Sequence, residues 1–180
     1  EVLGAGATVA RLVSEGRQVF SLVVGEGEAS RFEDRSSELC ERLRNLSEQA
    51  HRAHNVLGDE LLPLRSFPDN SMDSIPLLHI VKEIEGVVAE LRPNWVLTHS
   101  PHDVNIDHKC VHEAVLAACR PLASSSVDMV ACFPVLSSSE WRGGHISSFA
   151  PNLFFDVSKH SHLKIQALRE YHSEIREPPH

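Results

Sequence analysis

The chain has 180 residues, of which 42% are hydrophobic and 23% are charged, a composition normal for a globular domain of ordinary size. Its formal net charge of −8 argues against a broad nucleic-acid-binding surface. No apolar run approaches the roughly 20 residues that a bilayer-crossing helix needs. We therefore expect a single domain over residues 1–180, with no nucleic-acid partner and no membrane span.

The cysteines and the first residues bear on the cellular compartment. The cysteines are scattered and form no CxxC pair, which predicts reduced thiols rather than a disulfide framework: Cys40, Cys110, Cys119 and Cys132. Residues 1–4 lack the basic segment of a secretion signal. These features predict a cytoplasmic protein.

Helical and strand patterns alternate along the chain. The periodicity of apolar residues predicts helices over 2–15, 39–57, 75–91, 108–119 and 159–175. Short apolar runs predict strands over 19–24, 61–64, 94–98 and 127–133, and residues 152–157 are a candidate for a late strand, parallel or antiparallel. His51 and His54, both on the second helix, are expected to face solvent. The alternation predicts an α/β fold with a mainly parallel sheet.

The segment 98–108 concentrates polar side chains at the end of a predicted strand. It contains three histidines and two aspartates within eleven residues. Open α/β sheets place their sites where a strand leads into such a loop. Zinc prefers nitrogen and oxygen ligands from His and Asp, so His108 at the helix start is a candidate metal ligand. Asp107 beside it would not bind the metal directly but would orient a hydrogen-bond donor near the ligand or adjust the acidity of a neighbouring group.

Two interpretations of this loop remain beside a single ligand. His112 is four residues after His108 and would share its helix face, a spacing that can bind one metal but is weak without a supporting glutamate. Alternatively, Asp103, Asn105 and Asp107 cap the N-terminus of the helix, where such side chains are favoured. The interpretations are compatible, since one loop can cap a helix and present a ligand.

Several segments match a known family in order and spacing. They are Phe-Pro-Asp-Asn-Ser-Met-Asp at 67–73, Asp-Val-Asn-Ile-Asp-His at 103–108, Ser-Glu-Trp at 139–141, and shorter matches at 1–4, 25–27, 118–121 and 179–180. On these segments the sequence resembles the PIG-L, or LmbE-like, N-acetylglucosaminyl deacetylases. The resemblance implies a Rossmann-like fold with helices on both faces of the sheet. It also implies zinc-dependent removal of the acetyl group from a small N-acetylated amino sugar or a glycoconjugate.

The resemblance further implies where a metal would bind. The family motif His-Pro-Asp-Asp-Glu supplies two ligands and the general base, and Glu1 matches its last residue. The third ligand matches His108, with zinc the expected ion and another divalent cation an alternative. The first central strand and two ligands are thus expected to precede Glu1, and relatives continue beyond the match to His180. These 180 residues are therefore predicted to be inactive on their own.

Catalytic and substrate-binding residues are implied by the same match. Asn105 occupies a position where some members have a histidine, and it can donate a hydrogen bond to an oxyanion but cannot transfer a proton. His102, or else His99, would protonate the leaving amine, and Asp107 would assist beside the ligand. The candidate substrate-binding residues are Asp69, Asp103, Arg44, Glu140, Trp141 and His180. Relatives are often trimers or hexamers, which makes a homo-oligomer an expectation.

Other functions stay open at this point. A related amide hydrolase would act on another acylated amino sugar. A degenerate sugar-binding domain would keep the pocket without metal or catalysis. A nucleotide-binding Rossmann protein is disfavoured, because no phosphate-cradling glycine loop follows a predicted strand.

Overall fold

The structure is a computed structural model that describes residues 2–27, 30, 37–122, 125–136, 138–139 and 149–172. The elements follow in the order α1 (Val2–Ser14), β1 (Phe20–Ser21), α2 (Ser37–Leu57), β2 (Glu60–Leu61), α3 (Leu77–Leu91), β3 (Trp95–His99), α4 (Ile106–Ala118), β4 (Met129–Phe133) and α5 (Ser161–Arg169). A 3₁₀ turn at Met72–Ser74 precedes α3. The chain divides into two compact units, one from the described residues of 1–69 and 152–180 and the other from those of 70–151. One domain over 1–180 stays a prediction.

The first unit combines α1, α2 and α5 with a short parallel strand pair. The pairs in register are Phe20 with Glu60 and Ser21 with Leu61. Small side chains let the helices approach closely, since Ala53 of α2 and Ala167 of α5 are fully buried. Gly16 and Gly58 take the left-handed conformation just after α1 and α2, with φ of 80° and 83°, and so end these helices where the sequence predicts.

A buried polar network links α2 to β1 and to the start of β2. Asp59 accepts a hydrogen bond from the hydroxyl of Ser21 at 2.6 Å, and the same oxygen lies 2.8 Å from Nδ1 of His54. His54 is only 1% exposed, so the expectation that it faces solvent is wrong, whereas His51 is exposed. The physical reason is the carboxylate five residues further on, which allows an imidazole to be buried with a partner.

The second unit contains the parallel pair β3 and β4, with α3 and α4 packed together. The two strands are in register over five residues, from Trp95 opposite Met129 to His99 opposite Phe133. The helices bury an apolar face formed by Ile80, Val81, Ile84, Ala114 and Val115. Because β3 leads directly into residues 100–105 and then α4, this unit carries the loop of histidines and aspartates.

The helices agree with the sequence predictions more closely than the strands do. The strand predicted over 19–24 is present as β1 over only two residues. Residues 152–157 form no strand in the described part of the chain, so that prediction is wrong. An apolar run by itself supplies no pairing partner, and this one is not buried either, since Leu153 and Phe154 are 46% and 77% exposed. α5 ends at Arg169 rather than at 175, and residues 173–175 lie outside the described residues.

The cysteines test the prediction of reduced thiols. All four cysteines have free thiols, as their scatter along the chain predicts. Burial raises the pKa of the Cys119 and Cys132 thiols, which keeps both protonated at neutral pH.

In the part of the chain that the structure describes, every helix is too short or too polar to cross a lipid bilayer.

The substitution Asp59→Ala tests the buried network of the first unit. It leaves the His54 ring and the Ser21 hydroxyl buried without their shared acceptor, so we expect the free energy of unfolding to fall by about 3 kcal/mol. Chemical denaturation followed by circular dichroism measures the change. Glu60→Ala, at the neighbouring exposed position, is the matched control and should change the stability by less than about 0.5 kcal/mol. A loss for Asp59→Ala no larger than that of the control would contradict a stabilising network.

Candidate active site

The candidate site lies where β3 leads into the loop before α4. Ser100 directly follows β3 and is fully buried, and its N–H donates to the carbonyl of Phe133 at 2.9 Å. Asp103, three residues further on, is also fully buried. The loop therefore turns this carboxylate toward the protein interior rather than toward solvent.

The Asp103 carboxylate has neighbours on both oxygens. Oδ1 accepts the backbone N–H of Asn105 at 2.9 Å, and Oδ2 accepts the hydroxyls of Ser138 and Ser139, each at 2.8 Å. Oδ2 also lies 3.1 Å from Nδ1 of His108. The ring N–H is not aimed straight at the oxygen, so this contact is electrostatic more than an aligned hydrogen bond.

These contacts determine the charge of Asp103. Burial by itself raises the pKa of the carboxyl group, but the Asn105 N–H, the His108 ring and the two serine hydroxyls outweigh it, so the pKa of Asp103 is below its ordinary value. The group is therefore ionised at neutral pH although it is buried. A carboxylate beside Nδ1 favours the tautomer that carries its proton there, which leaves the lone pair of His108 Nε2 available.

A second set of contacts acts on the face of the His108 ring. The His99 and His108 rings are stacked, with centroids 4.1 Å apart and planes inclined by 9°. The Phe133 ring packs against His99 at a centroid distance of 5.2 Å, tilted by 55°. His112 is buried on α4, and its Nδ1 lies 2.9 Å from the carbonyl oxygen of His99. This contact with the end of β3 accounts for the burial of His112.

Asn105 caps the start of α4, whereas the carboxylate of Asp107, in the first turn of that helix, contacts residues 70 and 72. Oδ1 of Asn105 accepts the backbone N–H groups of Asp107 and His108, at 2.8 and 3.4 Å, so Asn105 is the N-cap of the helix. The two oxygens of Asp107 accept the backbone N–H groups of Asn70 at 2.6 Å and of Met72 at 3.0 Å. The side-chain cap is therefore Asn105 alone of the three predicted residues, because the carboxylates of Asp103 and Asp107 accept N–H groups of residues 105, 70 and 72 instead. The catalytic roles of both residues stay predictions.

The remaining predicted site residues are spread over the chain. His102 is half-buried in the loop, and its backbone N–H donates to the hydroxyl of Ser100 at 3.1 Å. In the first unit, Asp69 is half-buried and accepts the backbone N–H and the hydroxyl of Ser30. Arg44, in the same unit, is exposed on α2. The residues that lie outside the described ones are Glu1, Glu140, Trp141 and His180.

The donors around His108 bear on the metal prediction. With its Nδ1 3.1 Å from a buried carboxylate, His108 resembles the histidine ligands of zinc that donate this N–H to a carboxylate, although here the N–H is not aligned with the oxygen. Among the described residues, no group of three or more His, Cys, Asp or Glu side chains could hold a metal ion. The structure therefore fits His108 as one ligand, and further ligands would come from outside the described residues.

Ser138 and Ser139 are neighbours of the site that the sequence does not assign to it, whereas for His99 the sequence predicts a proton donor but not the contact with the His108 ring. A signal for the serines is present, because three consecutive serines at 137–139 come shortly after β4. The ends of neighbouring parallel strands meet at one edge of a sheet, which places such residues near the loop after β3. The contact of His99 with His108 depends on side-chain directions that the sequence pattern does not give.

A comparison with protein families identifies a match over most of the chain. The PIG-L family, described as GlcNAc-PI de-N-acetylase, matches residues 1–119, about two thirds of the sequence. The match includes the segment 98–108 and confirms the resemblance drawn from the motifs. A comparison with curated protein sequences found no match.

Solved structures share the fold at low sequence identity. The N,N'-diacetylchitobiose deacetylase of Pyrococcus horikoshii is 16% identical, with a TM-score of 0.76 over 98% of this chain and 67% of that one. A zinc-inhibited form of teicoplanin deacetylase is 17% identical, with a TM-score of 0.71 over 96% and 80%. GalB, the 4-carboxy-2-hydroxymuconate hydratase of Pseudomonas putida KT2440, is 20% identical, with a TM-score of 0.70 over 96% and 74%. These likenesses confirm the predicted α/β, LmbE-like fold. Because one of them is a hydratase, the reaction has to be argued from the residues.

The substitution Asp103→Asn tests the charge of the buried carboxylate. Because the pKa of Asp103 is lowered in the folded state, the ionised group stabilises the fold above its ordinary value of 3.8. That contribution is lost as the pH falls through the lower, folded-state value. We expect the wild-type protein to be more stable than the variant by roughly 2 kcal/mol near neutral pH, with the difference shrinking at more acidic pH. Urea denaturation at a series of pH values measures it, and a difference independent of pH would contradict an ionised Asp103.

Proposed function

Because the chain belongs to the PIG-L family of de-N-acetylases, we propose that it is a metal-dependent deacetylase that hydrolyses the acetamide of an N-acetylglucosamine-type sugar or glycoconjugate. At the level of the family, the chain is an amide hydrolase of the deacetylase type. The N-acetylglucosamine-type substrate and the dependence on a metal ion are what we propose beyond the family. The observation that carries it is the buried, ionised carboxylate of Asp103, placed 3.1 Å from Nδ1 of His108.

His108 would hold zinc, or another divalent cation, through Nε2. Such an ion, when bound, polarises an amide carbonyl and lowers the pKa of a water molecule toward neutrality. In the family motif, two further ligands precede the residue that matches Glu1. Because a teicoplanin deacetylase of this fold is described in a zinc-inhibited form, zinc is the first ion to test for binding, with other divalent cations beside it in the activity assay.

Asp103 is proposed to position His108. Its negative charge beside Nδ1 keeps the proton on that nitrogen and makes Nε2 a stronger donor to a cation. The serine hydroxyls and the Asn105 N–H keep the carboxylate ionised while it is buried. The complete burial of Asp103 favours this role over the substrate contact that the resemblance implies.

Three residues near His108 are proposed to serve the reaction. His102 would protonate the leaving amine, since histidine can give up a proton near neutral pH. Asn105 donates one amide N–H to Asn70 Oδ1 at 3.4 Å, and we assign its second N–H to the developing oxyanion. Asp107 would stabilise the site indirectly, because its carboxylate holds the backbone of residues 70 and 72 against the start of α4.

Substrate contacts are proposed for residues whose chemistry suits a sugar. Asp69 and Glu140 would accept hydrogen bonds from hydroxyl groups, and the face of Trp141 would pack on a sugar ring. Arg44 and His180 are proposed to contact polar groups of the glycoconjugate. The neighbour named a diacetylchitobiose deacetylase supports an acetylated amino sugar as the substrate class. A homo-oligomer and a cytoplasmic location stay predictions.

The substitution His108→Ala in the full-length protein tests the proposed ligand. With zinc and a glycoside of N-acetylglucosamine, we expect the wild type to release acetate and the variant to lose about 1000-fold in kcat/KM, because the ion contributes several kcal/mol of charge stabilisation. His51→Ala, at an exposed position on α2, is the matched control and should keep full activity. Undiminished acetate release by the His108 variant would refute the assignment.

The same assay separates the rival functions. Sugar binding by the wild type without acetate release and without bound zinc would favour a degenerate sugar-binding domain. Release of an acid from a different acylated amino sugar would favour the related amide hydrolase. Running the assay on residues 1–180 alone tests the prediction that they are inactive by themselves.

The substitution Asp103→Asn also separates positioning from ligation. The amide keeps the shape of the side chain but has no charge to hold the proton on Nδ1 of His108. We expect the zinc affinity of the full-length protein to fall about 10- to 100-fold, measured by competition with a chelator. Asp128→Asn, exposed just before β4, is the matched control and should bind zinc as the wild type does. An Asp103 variant with wild-type zinc affinity would argue against the positioning role.

A further inference from the structure

We infer that His99 is a positioning residue for His108: its imidazole holds the plane of the His108 ring, so that Nε2 keeps one direction. The inference rests on the proposed function in so far as His108 is a metal ligand, while the ring contact itself is a feature of the fold. On sequence grounds His99 is an alternative to His102 as proton donor to the leaving amine, or a residue that orients the loop.

The two rings meet face to face. Their centroids are 4.1 Å apart and their planes are inclined by 9°, so much of one ring is in van der Waals contact with the other. A ring flanked this closely cannot turn about its χ2 bond without colliding with its neighbour. The side chain of His108 is 23% exposed, and it would have room to turn toward solvent if the stack were absent.

His99 can serve as a fixed surface because several contacts hold it. It is the last residue of β3, in register with Phe133 of β4, whose ring packs against it at 5.2 Å. Its carbonyl oxygen lies 2.9 Å from Nδ1 of the buried His112 on α4. Strand pairing and the helix contact hold the backbone of His99, and the Phe133 ring packs against its imidazole.

The contact of His99 complements that of Asp103. The carboxylate acts on one atom of His108, Nδ1, from 3.1 Å and away from the N–H direction, so it selects the tautomer without fixing the plane of the ring. His99 acts on the face of the ring and fixes the plane without selecting a tautomer. A metal ligand needs both, since its lone pair has to point at the cation to within roughly 10–20°.

Positioning and proton transfer make different demands on residue 99. Proton transfer needs an imidazole nitrogen, whereas positioning needs only a flat aromatic ring. Phenylalanine keeps the ring and removes the nitrogens, and alanine removes both. The substitutions His99→Phe and His99→Ala therefore separate the two roles.

The test uses these two variants of the full-length protein, with His51→Ala as the control. Zinc affinity is measured by competition with a chelator, and the His108 ring is followed in the metal-free protein by NMR of carbon-13-labelled histidine. We expect His99→Ala to weaken zinc binding about 10-fold and to shift and broaden the His108 ring signal. We expect His99→Phe to restore the affinity to within about three-fold of the wild type.

Several outcomes would overturn the inference. One is an unchanged zinc affinity and an unchanged His108 signal in His99→Ala. Another is a His99→Phe variant as weak as His99→Ala, because a ring nitrogen rather than the ring face would then be needed. If His99→Ala does not fold, Phe133→Leu loosens the same stack from β4, and an unaltered His108 signal in that variant would overturn it too. If instead His108→Ala binds zinc as the wild type does, the proposed function fails, and the metal-free His108 signal still tests the ring contact.

Discussion

A carboxylate taken out of water stays ionised only where other groups replace the water, and four groups of this chain do so around Asp103. They come from the loop before α4, from α4 itself and from the segment after β4. All of these elements have to be in place before Asp103 can be both buried and charged. The fold of the second unit and the electrostatics of its candidate site therefore depend on each other.

Both units place a histidine beside a buried carboxylate, but the two histidines differ in their exposure to solvent. In the first unit, the side chains of His54 and Asp59 are 2% and 0% exposed, so their contact can only stabilise the fold. In the second unit, Asp103 is equally buried while the side chain of His108 is 23% exposed. It is the difference in exposure, rather than the pair itself, that would let a ligand reach the second histidine.

Local patterns in the sequence predict the helices well and the strands and contacts less well. Apolar periodicity and a terminating Gly58 are enough to locate α2, because helix hydrogen bonds are local. The run 152–157 misleads, since strand pairing depends on distant residues, and the burial of His54 depends on Asp59. For the candidate site, the motif at 103–108 predicts His108 and its neighbours in sequence as site residues. The contacts of Ser138 and Ser139 with Asp103, and of Phe133 with His99, follow only from how β3 and β4 align.

That alignment has a consequence of its own. Residues 99 and 133 lie side by side because two strands of only five residues each are paired without offset. Side chains alternate between the two faces of a strand. If β4 shifted by one residue along β3, Thr98 would lie opposite Phe133, and the rings of His99 and Phe133 would separate. Few backbone hydrogen bonds oppose such a slip in so short a ladder. A deletion in the connection between α4 and β4 that shifted this register would thus remove the contact between Phe133 and His99, although every residue of the candidate site remained unchanged.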